Sequence, residues 1–116
     1  MSVESQVAAA IGHLAGVQVF PDFAPAGTQR PYITYQSVGG SAINFIDGTP
    51  PDKRNARIQV TVWTDTRSQA SAIAVQIEDA MRAAGDLQTT VLGAAISTYD
   101  EDAEARGSMQ DFSVWY

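Results

Sequence analysis

The chain contains no cysteine and a single histidine, His13. Without thiols there are no disulfides, no thiolate metal sites and no thiol nucleophile. A cysteine-free chain is compatible with a reducing cytosol. His13 falls beside Leu14 at the edge of an apolar stripe, where a surface or boundary position is expected rather than a place in a catalytic triad. Basic residues are also scarce, seven against thirteen acidic ones, for a net charge of −6. Phosphate backbones are held by clustered Lys and Arg. The densest cluster here is only Lys53-Arg54 with Arg57, so nucleic-acid binding is not the expected task. No apolar run approaches the roughly 18 residues of a membrane span. Met1 to Gln6 has neither a basic start nor a sustained apolar stretch, so no signal peptide is expected. Nucleophile-elbow, P-loop and dinucleotide motifs are missing as well.

The 116 residues suit one domain, 1–116, and the 45% hydrophobic and 17% charged fractions are those of a soluble globular protein with a core of its own. A first helix is expected over about 3–15, because Val3, Val7, Ala10, Ile11 and Leu14 form one stripe. Ser2 is placed to cap it and Gly16 to end it, with Gly12 inside. A short apolar run, 17–20, stops at Pro21. A proline-rich loop over 21–31 follows, then a strand over 32–38 rich in aromatic and β-branched residues. Residues 41–56 carry Asp47-Gly48, Pro50-Pro51 and Asp52-Lys53-Arg54. A loop of this length is a candidate contact element, expected to be mobile in the free chain and ordered by a partner.

The strand 57–64 alternates cleanly, with Ile58, Val60 and Val62 on one side and Arg57, Gln59, Thr61 and Trp63 on the other. A second helix over about 67–84 opens on Thr66 and Gln69, spaced as a capping box. Its stripe of Ala70, Ile73, Ala74, Ile77, Ala80, Met81 and Ala84 implies close packing on a sheet, and Gly85 stops it. Strands over 91–99 and 109–116 then form a hairpin around the acidic run Asp100-Glu101-Asp102-Ala103-Glu104. That run lacks the spacing of a calcium loop and is expected to be a solvated tip. The expected fold is α+β: an antiparallel sheet of about four to five strands with two α-helices packed on one face. Its expected core holds Ile33, Tyr35, Ile58, Val60, Val62, Ile73, Ile77, Phe112 and Val114.

No catalytic, cofactor-binding or metal-binding residue stands out. The oddity is Trp63 and Trp115, each on the strand face away from the aliphatic residues. Such a tryptophan is either covered by another part of its own chain or held at a subunit interface. Candidate interface residues are therefore Trp63, Trp115, the basic Lys53, Arg54 and Arg57, and the acidic Asp100, Glu101 and Asp102.

The ordered set Val19-Phe20-Pro21-Asp22, Arg30-Pro31-Tyr32-Ile33-Thr34-Tyr35-Gln36, Asp47-Gly48 and Ile58-Gln59-Val60-Thr61-Val62-Trp63-Thr64 is distinctive. It continues through an Ala-rich helix to Tyr99-Asp100 and Asp111-Phe112-Ser113-Val114-Trp115-Tyr116. From about residue 5 to 116 it resembles the small tail-completion proteins of tailed bacteriophages and prophages, also called head–tail joining or tail-terminator proteins. The resemblance implies a non-enzymatic virion component with no cofactor. It would be made in the host cytoplasm and carried in the virion tail, where it caps the tube and joins it to the head. The implied partners are further copies in a ring, typically of six, the tail tube protein and the head connector protein, with no membrane. DNA would only pass through the lumen, past an acidic component that limits sticking. Alternatives are another minor phage tail subunit or a small-ligand-binding module, the latter needing a deep apolar pocket with convergent polar groups.

Overall fold

A computed structural model describes residues 2–14 and 16–116. Among these residues there are two α-helices, a short 3-10 turn and six strands in one sheet. The elements are α1 (Val3–Ile11), β1 (Gln18–Pro21), β2 (Tyr32–Ser37), β3 (Asn55–Thr64), α2 (Arg67–Ala83), the 3-10 turn Gly85–Leu87, β4 (Thr90–Val91), β5 (Ile96–Asp100) and β6 (Ala105–Trp115). The sheet runs β1-β2-β3-β6-β4, with β5 also on β6.

The centre is the β3–β6 pair. Its antiparallel register runs unbroken from Asn55↔Trp115 to Thr64↔Arg106. Alternation sends Ala56, Ile58, Val60 and Val62 of β3 and Phe112 and Val114 of β6 to one face, where all are buried. The stripe Val3, Val7 and Ile11 of α1 and the stripe Ile73, Ile77 and Met81 of α2 close over that face in one cluster. All nine expected core residues lie in it. Both helices start where the sequence places them. The Ser2 hydroxyl accepts from the Ser5 N–H at 3.2 Å, and the Thr66 hydroxyl from the Gln69 N–H at 3.1 Å, satisfying donors that the first turn leaves free.

The sheet differs from the expected one in three ways. It has six strands rather than four or five. It is mixed, because β1 pairs with β2 in parallel, Gln18↔Tyr32 to Pro21↔Tyr35. Pro21 is tolerated since β1 is an edge strand and owes no hydrogen bond on its outer side. The expected strand 91–99 is also two strands, β4 and β5, on the same edge of β6. Val91 faces Phe112 and Ile96 faces Met109, so residues 92–95 bulge opposite Gln110 and Asp111 alone. The Gln110 amide holds the bulge, donating to the Gly93 carbonyl at 2.8 Å and to Glu78 Oε1 of α2 at 2.7 Å.

Helix α1 ends at Ile11, earlier than expected. Gly12 is its C-cap, donating to the Ala8 carbonyl at 2.7 Å, because glycine gives up more backbone freedom inside a helix than any other residue. Gly16, expected to stop the helix, lies beyond that end, and Ala15 lies outside the described residues. The expected 109–116 strand begins at Ala105, since the acidic tip needs only a four-residue turn. No helix of the described residues is long and apolar enough to cross a membrane.

Two outcomes follow from this packing. Ile77 is 3% exposed in the middle of the cluster, so Ile77→Ala should cost about 2–5 kcal/mol in denaturant melts; a cost below about 0.5 kcal/mol would contradict its core position. The Gln110 amide, and then Arg82, hold the Glu78 carboxyl below its ordinary value of 4.5. A depressed carboxyl stabilises the fold fully above the ordinary value and loses that contribution as pH falls through the lower native one. The stability gap between the wild type and Glu78→Gln should therefore shrink on acidification from neutrality into that range, as read from urea midpoints.

Candidate functional site

The helices cover one face of the sheet and leave the other open. On the open face alternation places Phe20 of β1, Tyr32 and Thr34 of β2, Thr61 and Trp63 of β3, and Met109 of β6. Tyr32 pairs with Trp63, and Trp63 with Gly107. The Phe20 and Tyr32 rings meet edge to face with centroids 6.4 Å apart, a favourable aromatic geometry. The Trp63 ring lies on the backbone of Gly107: a Cβ there would come within 2.9 Å of Trp63 Cε3 and 2.5 Å of Thr98 Oγ1. A side chain at 107 would have to displace the indole or the Thr98 hydroxyl, so glycine suits the position. Trp63 is thus half-buried, partly covered by its own sheet, which is one of the two readings its position allowed.

The structure does not bring the two tryptophans together. Trp115 pairs with Asn55 at the far end of the same ladder, eight positions from Trp63 on β3 and so about 26 Å away. Trp115 is also half-buried. Beside it the Asn55 amide donates to Ser113 Oγ at 2.8 Å and to the Val114 carbonyl at 3.0 Å.

The candidate charged residues stand at the same two ends, each set with some opposite charge beside it: Asp52 next to Lys53 and Arg54, and Arg106 next to the acidic turn. Lys53 and Arg54 precede β3, and the backbone of Arg54 exchanges hydrogen bonds with Tyr116 at 2.8 and 2.9 Å. Both side chains are exposed, and neither forms an ion pair among the described residues. Arg57 differs from the other two. Its guanidinium binds Asp111 across the open face at 2.6 Å, so its charge is already matched within the chain. At the opposite end Asp100, Glu101 and Asp102 form the exposed β5–β6 turn. Asp100 is partly structural, since its Oδ1 accepts from the N–H groups of Asp102 and Ala103 at 3.0 and 3.3 Å. Glu101 and Asp102 point charge outward with no ion pair among the described residues. Arg30 braces the turn from β2's side, donating to the Ala103 carbonyl at 2.8 Å and to Asp65 at 2.7 Å.

Sequence reasoning passed over two features. One is the row of aromatic residues on the open face, the Phe20–Tyr32 ring pair with Trp63 opposite Tyr32 on β3, visible only once the register of β1, β2 and β3 is known. The other is the tip of the loop between β2 and β3, where Ile43, Phe45 and Ile46 are 36%, 50% and 110% exposed; three large apolar residues among breakers were the available signal. The clefts of the surface are open and shallow. One of about 290 Å³ lies between α1 and the 3-10 turn, lined by Gln6, Ala10 and Leu87. Another of about 210 Å³ lies between α2 and the bulge. His13 is exposed, and no group of three His, Asp or Glu among the described residues is placed to hold a metal ion.

A chain in a solved virion of a native gene transfer agent (GTA) particle has a similar fold, at 20% identity and a TM-score of 0.56, over 98% of this chain and 90% of that one. No curated protein matches the chain significantly. Residues 3–116 match the family described as Tail completion protein gp17. Nearly the whole domain is spanned, open sheet face and charged ends included, and the chain belongs to the tail completion protein gp17 family of structural virion tail components.

Proposed function

We propose that copies of this chain close into a ring at the end of a phage tail tube, capping the tube and offering the surface that meets the head connector. Six is the subunit number that the family resemblance implies. The observation carrying this reading is the placement of unlike side chains: exposed Lys53 and Arg54, beside Asp52, at one end of the β3–β6 ladder, and exposed Glu101 and Asp102 at the other, none of the four in an ion pair among the described residues, on a molecule 52 Å long. A contact between unlike ends is heterologous, and such contacts close into rings when the rotation between copies permits. Opposite charges steer the ends together and fix their register. The net charge of −6 suits a lumen through which DNA passes, because like charge limits sticking. Trp63, Trp115 and Arg57 belong to the same surfaces in this reading. Arg57 acts there through its bond to Asp111 rather than as a free cation.

Electron microscopy of tails assembled with and without the protein tests the role. Without it, tails should vary in length and fail to join capsids; normal tails that still join would end the proposal. The charge pairing has its own test. Lys53→Glu with Arg54→Glu should lower ring formation, and Glu101→Lys with Asp102→Lys in the same chain should restore it, with melting temperatures little changed because all four side chains are exposed. Trp115→Ala should reduce ring formation or tail completion more than it reduces folding stability.

A further inference from the structure

We infer that the loop between β2 and β3 is an arm whose apolar tip, Ile43, Phe45 and Ile46, seats on the aromatic row Phe20, Tyr32 and Trp63 of a second copy of this chain. This inference rests on the ring reading above and names the contact that closes it.

The arm is built to present its tip. At its base the Ser41 N–H donates to Asn55 Oδ1 at 2.8 Å. Gly40, at φ +143, lies so close to β3 that a Cβ would come within 2.6 Å of the Asn55 carbonyl oxygen, which only glycine accommodates. At the tip Gly48 N–H donates to the Phe45 carbonyl at 3.1 Å. Asp47 Oδ1 accepts from the N–H and hydroxyl of Thr49 at 3.0 and 2.8 Å. These bonds shape the turn that displays Phe45 and Ile46. Large apolar side chains held in water, as Phe45 and Ile46 are, mark a contact surface.

The tip does not sit on the chain's own open face, since Phe45 and Ile46 are exposed, and its backbone cannot reach the level of Trp63. From the tether at Ser41 to Ile46 is five residues, about 18 Å at full extension. From Asn55, the other end of that tether, to Trp63 is eight residues of β3, about 26 Å. A second copy removes the difficulty. Laid head to tail along the long axis, one copy brings its arm and its Lys53-Arg54 pair to the other copy's far end. There the aromatic row lies beside Glu101 and Asp102. That placement sets Lys53 and Arg54 against Glu101 and Asp102 and the apolar tip against the aromatic side chains, while the carboxylate of Asp47, in the tip's turn, is engaged within the arm by Thr49.

The absence of cysteine makes the test clean. Ile46→Cys on the arm and Thr61→Cys on the open face, placed together in chains of assembled tails, should link neighbouring copies under oxidation into a ladder that ends at the closed ring. Ile46→Cys with Gln76→Cys, on the exposed side of α2, should give no ladder beyond that of Ile46→Cys alone. Tails that carry the doubly substituted chain and show no Ile46–Thr61 link overturn the arm placement and leave the ring standing. A link from Ile46→Cys to the tube or connector protein overturns it too. Tails that lack even the unsubstituted chain overturn the ring reading itself. Should the doubly substituted chain fail to enter tails, Phe45→Ser decides: it should weaken assembly about tenfold or more at an unchanged melting temperature, and assembly equal to the unsubstituted chain's would refute the contact.

Discussion

The β3–β6 ladder is the constraint on which the rest of the molecule depends, and its register is fixed at several points along its length. At one end the Asn55 amide reaches across to Ser113 and Val114. At the other the Thr64 hydroxyl donates to the Thr66 or Arg106 carbonyl, at 2.7 and 3.0 Å. Between them the Trp63 ring lies on the backbone of Gly107, which leaves it room. A slip of one position would turn every apolar side chain of a strand to the wrong face. With the register held, Ile58, Val60, Val62, Phe112 and Val114 form a floor on which both helices settle. The same alternation leaves the opposite face of the sheet uncovered by helices.

Strand length turns this register into polarity. Ten residues of β3 and eleven of β6 separate the two ends of the ladder by about 30 Å, well beyond the Debye length of about 8 Å at physiological ionic strength. The basic Lys53-Arg54 pair and the acidic turn are therefore not quenched by each other within one molecule. Arg57 shows the contrast: it starts from the same cluster in the sequence, but its place on β3 puts it beside Asp111, and its charge is used internally.

Much of this architecture is legible in short stretches of sequence. The stripe of α2, its Thr66 cap, the alternation of β3 and the acidic turn before β6 each depend on residues within a few positions of one another. Periodicity alone assigns them, and all nine expected core residues lie in the core. Trp63 stood out for the same reason, as an aromatic on the polar side of an alternating strand. Elements whose form depends on distant partners were not legible. Nothing near Pro21 reveals that 18–21 joins the sheet in parallel, because its partner, 32–35, lies beyond a proline-rich loop. The break at 92–95 is imposed by Gln110 and Glu78, which reach it from another strand and a helix.

By itself, then, the sequence determined which residues face inward, where the helices begin, that no thiol or metal chemistry is built from cysteine, and that the charged segments lie in turns. Tertiary structure alone decided which strands are neighbours, which cation is already paired, and that Phe20, Tyr32 and Trp63 line up on neighbouring strands while Trp115 stands at the opposite end. The division has a physical cause. Facing is a local property set by the twofold and 3.6-fold repeats of strand and helix. Adjacency is a global one, set by whichever long-range pairing buries the most apolar surface without leaving polar groups unmatched.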